Sequence, residues 1–301
     1  MTLFHLGINN CFAVKRWPLP RDWVTICAHE LDLKHIQFSF DLLDPRTTQP
    51  ALSWMLTETS DALKTYDLTI HSTFTGLAAY SFNLLTHPNP AMRTDALDWF
   101  TKAIDATAGL NVKATGGHIA AQSYLDYMDT ERRRLMEDIL VENLRFLTSQ
   151  AAHMKLEMIL WEPMPLLREP PATISDAKRL LKRVNVGPGV PVKLAIDTGH
   201  QCTVGVDAQD LDTYTWLREL APESPVIHVQ QTDGKGDRHW PFTERYNKVG
   251  HIKPEKMLDT IEASGANEVY LMLEIIHAFE ADEREILRDL EESVSYWKNY
   301  V

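Results

Sequence analysis

The sequence predicts an α/β protein folded as one (β/α)8 TIM barrel over residues 1–301. Three observations lead there. Eight short apolar runs, rich in β-branched residues, alternate with about eight segments of helical periodicity, and that alternation means a parallel sheet. The first strand-to-helix turn lacks the GxGxxG of a dinucleotide fold, which weakens the rival reading of an open, doubly wound sheet. Polar residues fall at the ends of many runs, and a barrel gathers its active site from the C-terminal ends of several strands. No Pro-, Gly- or Ser-rich linker, fixed-period repeat or low-complexity tract interrupts the pattern.

In chain order, Leu3 to Ile8 is the first strand, opening into Asn9-Asn10. Pro20 to Leu31 reads as a helix because Pro and Asp stand near its start. His35 to Phe40 is the second strand, ending at Asp41, and Pro50 to Leu63 the next helix. Asp67 to His71 is the third strand, followed by a long loop from Ser72 to Pro90, and loops of that length usually carry function or cover a site. Ala91 to Ala108 has Leu97, Phe100, Ile104 and Ala108 at helical spacing. Val112 to His118 is a weaker fourth strand whose Gly116-Gly117 permits close backbone approach. Thr130 to His153 is the longest helix, with Thr130 as N-cap and Leu135, Ile139, Val141, Leu144 and Leu147 turned to the core. Leu156 to Trp161 is the fifth strand, with Ile174 to Val184 its helix. Val190 to Asp197 is the sixth, followed by a helix around Asp210 to Leu220. Val226 to Gln230 is the seventh, and a polar loop leads from it to a helix at Pro254 to Ala263. Glu268 to Ile275 is the eighth strand, and Glu283 to Tyr300 the closing helix.

A hydrophobic content of 44% with 24% charged residues is ordinary for a globular protein with a real core. The formal charge of −12 argues against a nucleic-acid partner or an anionic membrane surface, because such binding rests on Lys and Arg. No apolar run approaches 18 residues, so no membrane span is expected. Cys11, Cys27 and Cys202 form no CxxC, and Met1 to Asn10 has no basic stretch before an apolar one; both point to a cytoplasmic protein. A homo-oligomer is compatible with this composition.

Four strand-like runs end in Glu162, Asp197, His228 and Glu274. A carboxylate in an apolar strand costs several kcal/mol unless it is paired or bound to a cation. In a barrel, strands five to eight would bring all four to one face. Three carboxylates and an imidazole, with no cysteine ligand, suit one divalent ion of the Mn²⁺, Co²⁺, Mg²⁺ or Zn²⁺ type. His200, three residues past Asp197, would enter the same mouth as a substrate hydrogen-bond partner or an additional ligand. His71, His118 and Asp41 also stand at strand ends. Lys235, Arg238 and His239 cluster after strand seven, and Lys15 and Arg16 after strand one. Solvated loop charge is the plain reading of these cations; in an acidic chain, cations near the mouth are also what would hold a substrate phosphate.

Glu162, Asp197-x-x-His200, His228 and Glu274, in this order, resemble the pattern of the xylose-isomerase-like barrels, which include the tagatose-type 3-epimerases and hydroxypyruvate isomerases. The tetrulose-phosphate epimerases are the branch it looks most like. The resemblance implies that Glu162 and Glu274 bind the metal and flank the reacting carbon, that Asp197 and His228 complete the coordination, and that His200 and Arg238 contact the substrate. It implies a small ketose or ketose phosphate as substrate, epimerised or isomerised through a cis-enediolate, with one glutamate removing the proton and the other returning it. Arg238 lies ten residues past His228, farther than the usual epimerase spacing. Asp237-Arg238-His239 is similar to the Asp-Arg-His of endonuclease IV, a sister branch with three zinc ions, and His71 and His118 nearly fill that branch's ligand set. More than one zinc, and a phosphoric-ester hydrolase, therefore stay open as alternatives, as does a decarboxylase or dehydratase using the same enediolate. A barrel that only binds sugar is the remaining outsider.

Overall fold

Eight parallel strands hydrogen-bond in strict chain order and close on themselves in the computed structural model, which describes residues 1–301. They are β1 (Leu3–Asn9), β2 (His35–Ser39), β3 (Thr69–Phe74), β4 (Ala114–Gly117), β5 (Met158–Trp161), β6 (Val192–Asp197), β7 (Val226–Val229) and β8 (Glu268–Leu273). Closure runs from Leu3 opposite Glu268 to Ile8 opposite Leu273. The helices are α1 (Pro20–Thr25), α2 (Ala51–Tyr66), α3 (Leu77–Tyr80), α4 (Pro90–Gly109), α5 (Tyr124–Met128), α6 (Thr130–His153), α7 (Ile174–Val184), α8 (Thr213–Leu220), α9 (Glu244–Asn247), α10 (Pro254–Ser264) and α11 (Glu283–Lys298). Side-chain oxygens of Asp129, Thr173, Asp212 and Asp282 cap the backbone N–H groups at the starts of α6, α7, α8 and α11. Gly265, at φ 84°, ends α10 in the left-handed region that glycine enters without strain. No helix is long and apolar enough to cross a membrane.

Strand side chains alternate, so the barrel interior fills in layers. At the N-terminal end the rings of His5, His35, His71 and Tyr270 pack together, with His71 4.0 Å and His5 4.4 Å from Tyr270. Above them Phe74, Ala114, Leu160, Ala195, Val226 and Met272 form an apolar plug separate from the 65-residue core between strands and helices. Gly7 belongs to this plug by necessity: a Cβ there would lie 2.6 Å from Met272 Sδ and from the His35 carbonyl. Two residues on from Leu160, Ala195, Val226 and Met272 stand Glu162, Asp197, His228 and Glu274. The apolar plug thus forms the floor of the site.

Three expectations move. The third strand runs to Phe74 rather than stopping at His71. Ser72 and Thr73 read as loop residues, yet Ser72 accepts from Gln37, and Thr73 bonds to Thr107 and Thr115, which satisfies their hydroxyls inside the fold. On α6 the buried stripe is Met136, Leu140, Val141, Leu144 and Leu147, leaving Leu135 45% exposed, and the cap is Asp129 rather than Thr130. Short helices α3, α5 and α9 occupy loops in which the sequence suggested none.

Candidate active site

Glu162, Asp197, His228 and Glu274 meet, all buried, with one ligand atom from each lying within 4.8 Å of the others. His228 is the hub. Its Nε2 lies 2.6 Å from Gln37 Oε1, while the Gln37 amide nitrogen donates to Ser72 Oγ. Gln37 therefore offers only an acceptor, so Nε2 carries the proton and Nδ1 turns to the carboxylates. Nδ1 is 3.0 Å from Glu162 Oε1, 3.1 Å from Glu274 Oε2 and 3.9 Å from Asp197 Oδ2. This matches the usual arrangement of a metal-ligating histidine, in which the second ring nitrogen is held by an outer partner. Asp197 Oδ1 accepts from Gly199 N–H at 2.6 Å and from Gln230 Nε2 at 2.9 Å, while Oδ2 is buried with no partner. An orphaned carboxylate oxygen aimed at two glutamates and an imidazole nitrogen fits a divalent cation.

The carboxylates also set the charge of the centre. Burial opposes a charge on His228, but Glu274 and Glu162 carry its pKa well above the ordinary value. Burial pushes the Glu274 carboxyl up, and His228 overrides this, drawing it down to about 2. Burial lifts Asp197 to about 7. Beside this centre, Asp197, His200 and His239 form a second close group. His200 is fixed by Pro163 O, 2.9 Å from Nδ1, and its Nε2 faces Asp237 at 3.4 Å. Burial disfavours charge on His239, but its hydrogen bond to Asp237 raises it to about 9.

A cavity of about 170 Å3 opens over the centre, lined in part by Tyr80, His118, Glu162, His200, His239 and Glu274. It is smaller than the roughly 300–1,000 Å3 usual for drug-sized ligands and suits a small substrate. A larger, mostly apolar cavity of about 370 Å3 lies behind α3, lined by Phe40, Phe82, Met92 and Trp99, away from the carboxylate centre. Asp41, which lines both, caps α3: its oxygens accept from Leu77 N–H at 2.7 Å and Ala78 N–H at 3.0 Å. A Cβ at Gly76 would come within 2.2 Å of that carboxylate.

The remaining sequence-picked residues divide. His118 follows β4 and lines the cavity, buried, with neither ring nitrogen partnered. His71 is not at the mouth. The register of β3 against β2 slips at this residue, a bulge that lets both His71 and Ser72 face the barrel axis, and His71 packs into the opposite end. It can serve neither as substrate contact nor as ligand of the mouth. Arg238 is not a cavity-lining residue: its Nε and Nη2 grip Asp233 at 3.1 and 3.3 Å, and its side chain is 38% exposed. Lys235 is exposed, with its backbone N–H bound to Asp233. Lys15 Nζ lies 4.6 Å from the Phe279 ring centroid, and Arg16 donates to Ala278 O at 2.6 Å. Four contributors were missed by sequence reasoning. Asn9 donates to Glu274 at 2.8 Å, Gln37 holds His228, Gln230 holds Asp197, and Glu169 sits buried with an unpartnered oxygen. For Asn9, Gln37 and Gln230 the available signal was parity: Asn9 and Gln37 fall on the inward face of their strands, and Gln230, one residue past β7, keeps the parity of His228.

Fold and site define a class: closed parallel barrels with a carboxylate–imidazole centre at the C-terminal mouth. The chain belongs to the xylose isomerase-like TIM barrel family, whose sequence profile matches residues 27–299. It is 28% identical over 299 residues to a D-erythrulose 1-phosphate 3-epimerase of Brucella abortus, covering 98% of this chain and 96% of the relative. A Rhodospirillum rubrum structure, provisionally named a xylose isomerase, superposes with TM-score 0.92 at 31% identity, covering 99% of both chains. The D-psicose 3-epimerase of Clostridium cellulolyticum shares the fold, with TM-score 0.73 at 15% identity, covering 98% of this chain and 99% of the other. With relatives so named, the chain takes its place among isomerase-class enzymes.

Proposed function

We propose that this protein is a metal-dependent 3-epimerase of a four-carbon ketose phosphate, acting through a cis-enediolate with Glu162 and Glu274 as the acid/base pair. The observation that carries the reading is the meeting of Glu162, Asp197, His228 and Glu274 around one point, with Gln37 turning the His228 Nδ1 toward the carboxylates. The substrate is suggested by the Brucella relative and by a cavity of about 170 Å3.

Glu162, Asp197, His228 and Glu274 would hold the ion, which when bound supplies an electrophile for the carbonyl and neighbouring hydroxyl oxygens of the ketose. The proton work falls to the glutamates. They reach the centre from β5 and β8, so they can address one carbon from two sides, as a two-base inversion needs. Only one oxygen of Glu162 faces His228 Nδ1, at 3.0 Å, which leaves the other free to accept a proton. Glu274 is held by Asn9 and His228, an anchored carboxylate that keeps its position while charge changes beside it. His118 lines the cavity as a donor for a substrate oxygen, and His200, held by Pro163 and facing Asp237, shapes the wall beside it.

Turnover in D₂O should place deuterium on C3 of the product. Glu162→Gln and Glu274→Gln should each lower kcat by at least about 10²–10⁴-fold, the usual worth of a positioned acid or base. Product free of solvent deuterium, with both variants active, would remove the proton-transfer reading. Release of CO₂ or loss of water from the sugar would instead identify a lyase on the same centre.

A further inference from the structure

Resting on the reading of the substrate as a ketose phosphate, we infer that its phosphate is seated on the β4–β5 side of the mouth, between the guanidinium of Arg168 and the buried imidazole of His118. A dianion entering here meets a cavity lined by Asp41, Glu162, Asp237 and Glu274, so it needs a cation not already committed elsewhere. Arg238 is spent on Asp233. Lys15 and Arg16 gather at Ala278 and the exposed Phe279, beyond Ile276, where that loop leaves the cavity wall.

Arg168 differs from these. It is half-buried in the loop after β5, just outside the residues that line the cavity, and pairs with no carboxylate. Its Nη1 donates to Gln122 O at 3.2 Å, and the Gln122 N–H returns a bond to Arg168 O at 2.7 Å. This clasp fixes the loop after β5 to the loop after β4, yet uses only one of the five guanidinium hydrogens. The charge is felt at His118, Tyr80 and Glu169. Glu169 stands nearby without pairing to it, and burial pushes that carboxyl up to about 7, so it neutralises Arg168 only in part.

His118 supplies the second observation. It is 2% exposed and lines the cavity, and neither ring nitrogen makes a full hydrogen bond, with only the Phe82 backbone near enough to act on it weakly. Thr75 Oγ1 accepts its backbone N–H at 2.8 Å, and the Tyr80 ring packs against its edge at 5.1 Å, so the imidazole is held in place with its hydrogen-bonding unmet. Buried polar groups left in this way are uncommon and costly, and an oxygen of the ligand would relieve the cost. Reach favours the same wall. In a 1-phosphate the ester oxygen is one carbon from the carbonyl that would sit over the metal centre, so its anchor belongs beside the cavity, where His118 lines the wall and Arg168 acts on it, rather than on the outer rim.

The test compares kcat/KM for D-erythrulose 1-phosphate and free D-erythrulose on wild type, Arg168→Met, Arg168→Lys, Arg238→Ala and Lys15→Ala, alongside the Ki of inorganic phosphate. The preference for the phosphorylated sugar should fall about 10- to 100-fold in Arg168→Met, corresponding to the loss of one charge-assisted contact. Arg168→Lys should recover part of it, and phosphate inhibition should weaken in parallel. Arg238→Ala and Lys15→Ala should keep the wild-type preference. If Arg168→Met does not fold, the Ki of phosphate on Arg168→Lys decides. An unchanged preference and Ki in the Arg168 variants, with a loss in Arg238→Ala or Lys15→Ala, would overturn the location alone. A wild type that turns over the free sugar as well as the phosphate would overturn the ketose-phosphate reading and the seat with it.

Discussion

His228 shows how much of this centre is decided by a residue that never faces the substrate. Its Nε2–H points at Gln37 Oε1, which also accepts from Asn9 Nδ2 at 2.9 Å, so two polar groups of the site are oriented by one amide. In Gln37→Leu the ring is free to present the other tautomer or to turn, and the affinity for a divalent ion should fall about 10- to 100-fold, the usual cost of losing an outer partner. A Mn²⁺ titration of folded protein checks this, and an affinity equal to wild type would mean that Gln37 does not set the tautomer. The same residues mark the limit of what the sequence reveals about a site. Glu162, Asp197, His228 and Glu274 were legible because an acid or an imidazole at the end of an apolar run is conspicuous. Asn9, Gln37 and Gln230 were not, because a neutral amide in a strand looks like ordinary polar filling, and only the shared inward parity betrays them. Arg238 misled for the opposite reason: its motif neighbours Asp237 and His239 do enter the site, while its own side chain folds back on Asp233, a partner that no spacing rule identifies.

Among the elements, β3 departs most from expectation, and its departure has a thermodynamic consequence. The slip at His71 places an imidazole in the closed end of the barrel beside His5, His35 and Tyr270, with Glu268 bonded to His5 at 2.9 Å and Lys34 exposed next to His35. Burial, with a smaller contribution from His35, lowers the His71 pKa to about 4, against 6.5 for the free side chain. The unfolded chain therefore takes up a proton on this histidine before the folded one does. Its contribution to stability is complete above about pH 6.5, is lost as pH falls toward 4, and changes no further below that. The loss amounts to about 3 kcal/mol at 1.36 kcal/mol per unit. His71→Phe keeps a ring against Tyr270 but cannot titrate, so its denaturation free energy should fall less than that of wild type between pH 7 and pH 4.5. Equal slopes would show that His71 protonates as freely in the barrel as outside it. The sequence placed β3 but ended it early, because Ser72 and Thr73 are loop formers by composition and become strand residues only through tertiary hydrogen bonds to Gln37, Thr107 and Thr115.

Over the whole molecule, the barrel closes by pairing β8 with β1, and the four candidate ligands all come from β5, β6, β7 and β8. An ion at their meeting point would tie one half of the sheet together from the inside, in a chain whose formal charge is already −12. Alternation of apolar runs and helical segments made this architecture readable at once, because each unit repeats the same local pattern. Which end of the barrel a strand residue reaches was not readable, since that depends on register. Ligand linkage then gives a global expectation. A cation that binds the folded state alone stabilises it by about 2.7 kcal/mol at one hundred times its dissociation constant. At roughly 2–4 °C per kcal/mol for large domains, the melting temperature should drop by on the order of 5 °C or more when a chelator replaces Mn²⁺. Elemental analysis of the same samples should give about one divalent ion per chain. Identical melting with and without chelator would remove the cation from the mechanism. A count of two or more, with Asp197, His200 and His239 engaged as a further site, would favour the phosphoric-ester hydrolase instead, because bridged metals would then be available to activate water. The epimerase reading expects the second group to stay free of metal, since His200 is already turned to Pro163 and Asp237, and His239 to Asp237 and the Glu274 carbonyl.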